Sequence, residues 1–200
     1  MLSEDMAEAA NQECPILDKA YEDQTAVGIS GKKVEFDTVK FVRGRTEECD
    51  FSGASFCKVV FDKCDSSNCP FRDTYWKNVN VSDSKGDGSQ FCNSTFKWVK
   101  LLDSQFHYGN FSTAFWEFGE IRGCNFRESF MSEVKFKKTV FSSTDLAGTD
   151  FFRTPLKGMD LSECVIDGIM VSDQFTELAG VKVSLLQAAE LARLMGVKIV

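Results

Sequence analysis

Residues 124–151 read CNFRE SFMSE VKFKK TVFSS TDLAG TDF, and an apolar side chain returns at every fifth place: Phe126, Met131, Phe136, Phe141, Leu146 and Phe151. Stepping by five in both directions extends this pattern from Phe36 to Val171 without a register slip. Its 28 centres hold fourteen Phe, four Leu, two each of Ile, Val and Trp, and one Met; Thr46, Ser66 and Gly86 are the three left over. Two residues before each centre the chain is small or β-branched, as at Cys49, Ala54, Cys64, Cys69, Ser94, Gly109, Ala114, Cys124, Thr144 and Cys164, with Met159 the bulkiest exception. A period of five matches neither the 3.6 of a helix nor the 2.0 of a flat strand, so the backbone must coil as a repeat in which distant residues converge on one axis.

Each unit places a small residue first, then often Asp or Asn, then Phe or Leu, then two polar residues. In CDFSG (49–53), CNFRE (124–128), TDLAG (144–148) and MDLSE (159–163) this pattern resembles the pentapeptide repeat family. The resemblance implies an all-β fold: a right-handed, four-sided β-helix in which four pentapeptides make one square coil of about twenty residues, with the centre and the small residue turned inward. Twenty-eight units then give about seven coils in a rod of about 34 Å at strand spacing. Five of the eight cysteines fall at the small inward position and need no metal or disulfide to explain them. Cys49 and Cys69 stack one coil apart, within reach of a disulfide, but a reducing cytoplasm favours free thiols.

The expected divisions are an N-terminal cap or arm over 1–33, the β-helix over 34–173 and a C-terminal cap over 174–200. In the last, Ser184 and Gln187 stand in capping-box spacing and Gly196 is placed to end a helix of about 185–195. Gln187, Glu190 and Arg193 form one polar stripe on that helix, and apolar residues cover the rest of its circumference. The stretch LAGVKVSLLQAAELARLMGVKIV (178–200) is similar to the C-terminal tail of the quinolone-resistance pentapeptide proteins. That likeness implies a homodimer, with Leu186, Ala189, Leu191, Leu194 and Met195 at its interface.

Stacking at twenty residues lets each side of the rod be read separately. The first face, centred on Phe36, Phe56, Trp76, Phe96, Trp116, Phe136 and Leu156, turns Tyr75, Trp98, Phe115 and Phe118 outward among seven lysines that include Lys97, Lys137 and Lys138. Against Glu35, Asp37 and Glu117 its net charge is +4. Such a face suits a protein partner or a nucleic acid. The third face, centred on Thr46 through Ile166, carries Glu47, Glu48, Asp65, Asp87, Glu128, Asp145 and Asp167 against three basic residues, a net of −4. The fourth, centred on Phe51 through Val171, carries five acidic residues, Asp150 among them, against two arginines, a net of −3. Because Thr46, Ser66 and Gly86 lie in successive coils of the third face, RGRTEEC, KCDSSNC and DSKGDGS are expected to bulge as loops.

Thirty acidic against 23 basic residues leave a net charge of −7, which disfavours nonspecific binding of nucleic acid or anionic lipid by the molecule as a whole. No apolar run approaches the roughly 18 residues of a spanning helix, and the acidic start lacks a secretion signal, so a cytoplasmic protein is expected. The single histidine, His107, has no obvious nucleophile partner, and no phosphate-binding glycine loop opens a helix. A non-enzymatic binding protein without cofactor or metal follows. The resemblance implies a DNA-mimicking rod that binds DNA gyrase or topoisomerase IV and gives resistance to poisons such as quinolones. The alternative is a scaffold that uses the aromatic and lysine face.

Overall fold

The computed structural model describes residues 1–200. Two seven-stranded parallel sheets run along it. One stacks Ile16–Leu17, Glu35–Asp37, Ser55–Cys57, Tyr75–Lys77, Thr95–Lys97, Phe115–Glu117 and Lys135–Lys137; the other stacks the seven segments from Ala20–Glu22 to Val140–Ser142. Every partner lies twenty residues away, as in Phe36↔Phe56 and Leu101↔Ile121. The third and fourth faces turn more tightly. Beyond the paired strands Thr25–Val27 and Arg45–Glu47 they are joined by single bridges such as Asp65↔Lys85 and Asn110↔Phe130.

The periodic residues build the interior as columns of parallel rings. On the first face Phe36 stacks on Phe56 at 5.0 Å, and Phe96 on Trp116 at 4.0 Å. On the fourth, Phe51, Phe71, Phe91 and Phe111 follow one another at 4.9, 5.0 and 4.7 Å. Beside the rings, the small inward residues finish the hydrogen bonding. The backbone N–H of Cys64, Thr74, Ser84 and Val134 each donates to the hydroxyl of the residue one coil on: Ser84, Ser94, Ser104 and Thr154. Buried donors that would otherwise cost energy are satisfied between coils.

Turning the chain through a square requires a corner every five residues, and the second residue after most centres adopts left-handed backbone. At the non-glycine corners φ lies between 47° and 61°. Asn and Gly accept this conformation readily, whereas Lys63, Thr113 and Trp98 hold it at a cost of about 1–2 kcal/mol each.

Three expectations change. First, the coil begins at Ile16 and not at 34: Ile16 pairs with Phe36, Tyr21 with Phe41 and Ala26 with Thr46. The small centres Ala26 and Gly31 hid this coil from a search for large apolar residues. A side chain at Gly31 would collide with the Phe51 ring, 2.7 Å from its Cβ position, and with Met6 at 3.0 Å. Met6 belongs to the N-terminal helix α1 (Leu2–Gln12), which buries Leu2, Met6 and Ala9 on the open end of the rod. Tyr21 donates to Asp5 at 2.6 Å and holds α1 in place.

Second, Thr46, Ser66 and Gly86 do not bulge. Their N–H groups donate to Asp65, Lys85 and Gln105 at 2.8–2.9 Å, because the ladder is made by backbone and does not depend on an inward ring. The missing rings are felt inside: the Phe106 ring leans to 2.9 Å from where a Cβ of Gly86 would stand. Small apolar cavities of ≈ 40 Å³ and ≈ 20 Å³ remain beside Ser66.

Third, the rod ends by a change of register. Pro155 has no N–H to give to Val134, where Lys135 donates to Ala114 one coil earlier. The segment from Glu177 onward, which begins within the short 3-10 helix Thr176–Leu178, takes over as the last rung. Leu156, Gly158 and Leu161 donate to Glu177, Gly180 and Lys182, and Asp160 bridges Lys182, twenty-two residues on. Helix α2 (Leu185–Leu194) then closes the end with the expected capping box between Ser184 and Gln187. Gln187 is turned toward the rod, not toward solvent: its amide donates to the carbonyls of Leu161 and Cys164 at 2.8 and 2.6 Å.

Glu177 is buried at this junction and accepts from Arg153 N–H at 2.8 Å and the Ser172 hydroxyl at 2.8 Å. Burial alone would raise its pKa, but the backbone and Ser172 hydrogen bonds outweigh burial and hold the carboxyl below its ordinary value. A depressed folded pKa stabilises above the unfolded value and ceases to do so as pH falls through the folded one. Glu177→Gln should therefore cost about 1–3 kcal/mol at pH 7, with the gap from wild type closing as pH falls below the ordinary glutamate value of about 4.3 and through the lowered folded one. Urea melts across that range test this, and a gap independent of pH rejects it.

Exposed Lys63 has φ 54° and no ion pair. Lys63→Gly should gain about 0.5–1 kcal/mol and Lys63→Val should lose at least about 1 kcal/mol, read from urea midpoints.

Candidate binding surfaces

On the first face the corner column runs Lys58, Asn78, Trp98, Phe118, Lys138, because the registers Phe56↔Trp76, Trp76↔Phe96, Phe96↔Trp116 and Trp116↔Phe136 carry the following corners with them. Trp98 and Phe118 stack face to face, centroids 5.3 Å apart and planes 6° from parallel. The Lys138 ammonium sits 4.9 Å from the Phe118 centroid. Trp98 remains 46% exposed. Glu117 takes Lys137 at 2.6 Å and Lys97 at 3.8 Å, and the Lys137 hydrogen bond lowers its pKa. Lys58 pairs with Asp37 at 3.6 Å. The structure thus brings Trp98, Phe118, Lys97, Lys137 and Lys138 together. Tyr75 and Phe115 lie half-buried on the other edge of the face, separated from each other by Thr95.

The acidic side is built differently. Asp65, Asp145 and Asp150 stand immediately before a centre, and each turns a carboxylate oxygen back onto the N–H two residues on: Ser67 at 3.1 Å, Ala147 at 2.9 Å and Phe152 at 2.8 Å. Asn110 and Asn125 make the same turn with neutral amides. These acids therefore cap tight corners as well as presenting charge. Asp87 accepts from the His107 N–H at 2.8 Å. Asp145 also pairs with Arg127 and Glu47 with Arg45, whereas Glu48, Asp65, Asp87 and Asp150 have no cationic partner within 4 Å. The capping role is visible in the sequence as the Asp or Asn that directly precedes several centres, where it also counts as surface charge.

Starting the coil at Ile16 alters the charge of the faces. Lys32 and Lys33 join the fourth face, moving its net from −3 to −1, and Asp18 joins the first, moving it from +4 to +3. The two acidic faces together carry −5 (−4 and −1). Lys32 pairs with Asp50 at 3.1 Å.

At the C-terminal end, Leu191 packs half-buried against the core, so it serves the lid. Leu186 is 82% exposed, Leu194 and Met195 are exposed and Ala189 is half-buried. His107 stacks on Tyr108 at 5.2 Å. No group of three or more His, Cys, Asp or Glu is placed to hold a metal ion, and no helix is long and apolar enough to cross a membrane.

The family model "Pentapeptide repeats (8 copies)" matches residues 120–158. No curated protein matches the chain significantly. Among solved structures, a trypsin-treated form of QnrB1, a plasmid-mediated fluoroquinolone resistance protein, aligns over 93% of this chain and 98% of its own with TM-score 0.55 and 17% identity. Full-length QnrB1 aligns over 89% and 100%, with TM-score 0.53 and the same identity. The fold is the pentapeptide-repeat β-helix.

In this pentapeptide-repeat solenoid all eight cysteines are free thiols. Cys49, Cys64, Cys69, Cys124 and Cys164 are buried at the small inward position, and burial raises their pKa, that of Cys124 to about 11. Protonated and enclosed thiols react slowly. Native protein should therefore yield at most three fast thiols to a disulfide reagent (Cys14, Cys57 and Cys92), and denaturation should release the other five. Fast modification of Cys124 in the native state would contradict this packing.

Proposed function

We propose that this solenoid is a non-catalytic cytoplasmic docking rod that binds a type II topoisomerase, DNA gyrase or topoisomerase IV, through its third and fourth faces and so protects it from quinolone-type poisons. The observation that carries the reading is the set of carboxylates on those faces without cationic partners, Glu48, Asp65, Asp87 and Asp150, on a fold shared with a fluoroquinolone resistance protein. A duplex of the same length carries about 20 charges, against −5 on these two faces. Docking therefore relies on particular acids meeting particular basic groups and on rod shape, more than on overall potential. The exposed apolar residues of the C-terminal lid, Leu186 and Leu194 on α2 and Met195 just after it, support a homodimer through the lids.

Because Asp65 and Asp150 also cap turns, their reversal to Lys would disturb the rod. Asn retains the capping oxygen, as Asn110 and Asn125 show. The variant Glu48→Gln, Asp65→Asn, Asp87→Asn, Asp150→Asn should keep the wild-type melting temperature and lose at least about tenfold in the concentration that rescues gyrase supercoiling from a quinolone, about 1.4 kcal/mol of docking energy. Undiminished rescue by the folded variant rejects the acidic side as the docking surface.

A further inference from the structure

The Trp98–Phe118 ladder sits on a cationic face of an acidic molecule, and its chemistry differs from that of the acidic side. Both residues hold left-handed backbone, φ 52° and 56°, where a bulky aromatic is costly and Gly, Asn or Asp would be easier. Neither belongs to the interior column. What they build is a parallel, face-to-face pair whose stack is closed at one end only. Lys138 lies over the outer side of Phe118. At the other end the next residue in the column is Asn78, too short to cover an indole, so one face of Trp98 remains open.

Around that open face the charge is positive. Lys77 and Lys97 are paired in register, and Lys58 precedes Asn78 in the column. Lys77 has no carboxylate within 4 Å. The carboxylates that approach the ladder are Glu117, shared between Lys97 and Lys137, and Asp37, at Lys58. At physiological ionic strength charges interact over about 8–10 Å, so a ligand on this face meets its net of +3 more than the −7 of the molecule.

We infer that the open face of Trp98 is a stacking platform for single-stranded nucleic acid, one base lying on the indole above Asn78 and the flanking phosphates meeting Lys58, Lys77 and Lys97. An exposed ring face, presented flat, with point cations to either side is what an unpaired base and its backbone need. A duplex keeps its base faces stacked inside and exposes them only at its two ends, so it should bind the platform more weakly than a single strand. The inference does not rest on the topoisomerase reading, and either can fail alone.

The test uses the full chain and a fluorescein-labelled dT20 oligonucleotide. Trp76 and Trp116 are buried, so quenching of tryptophan emission on titration with unlabelled dT20 reports Trp98. Expected are quenching, binding by anisotropy that weakens with salt, at least about a fivefold loss of affinity in Trp98→Ala, retention in Trp98→Tyr, and a loss in Lys77→Glu. Circular dichroism melts confirm that each variant folds. Absence of dT20 binding at low salt, equal affinity in Trp98→Ala and wild type, or equal affinity for the matching duplex each overturns the inference. So does a protein partner captured through Trp98 when dT20 does not bind, which would assign the ladder to a protein.

Discussion

Everything in this molecule depends on the interlocking of one coil with the next at a spacing of twenty residues. A single coil has no interior of its own: its rings are covered by the rings above and below, and its N–H groups find acceptors in the neighbouring coil. Phe56 illustrates this, lying between Phe36 at 5.0 Å and Trp76 at 4.4 Å. Burial of a large aromatic side chain is worth a few kcal/mol, and here that gain exists only if the register is kept. The same register lets Ser and Thr hydroxyls serve the backbone one coil away, which explains why polar residues are tolerated in the core.

The constraint also explains the corners. Keeping the square cross-section obliges most fifth residues to adopt a backbone form that L-amino acids disfavour, and the chain accepts it repeatedly because packing outweighs each local penalty. Where the side chain before a centre is Asp or Asn, part of the penalty is offset by a hydrogen bond back to the turn. Charge on the acidic side is thus partly a by-product of turn chemistry. On the first face, by contrast, Trp98 and Phe118 sit at corners with no capping role, and their placement follows from neither interior packing nor turn formation.

Much of the fold was legible because Phe dominates the centres from Phe36 onward and a ring at every fifth place fits few backbones. The first coil was not legible, since Ala26 and Gly31 contribute no ring and the room beside Gly31 is filled by Met6 from a helix outside the repeat. The expectation of loops at Thr46, Ser66 and Gly86 failed for a related reason: it assumed that side-chain filling holds the backbone, whereas the ladder of N–H and carbonyl groups holds it there. The placement of Trp98 one coil from Phe118 followed from the twenty-residue spacing; the face-to-face stacking of their rings did not. The face of Gln187 could not be read from helical periodicity, because the open carbonyls of Leu161 and Cys164 that attract it belong to a distant part of the chain.

The two lids touch only the terminal coils: α1 rests on the coil that begins at Ile16, and α2 with the 176–183 segment rests on the coil containing Leu156 and Leu161. Interior junctions between them are nearly equivalent. Length is therefore a quantised property of this architecture, free to grow or shrink by whole turns through duplication or deletion of about twenty residues, while an indel of any other size would force the chain to absorb a mismatch between sides.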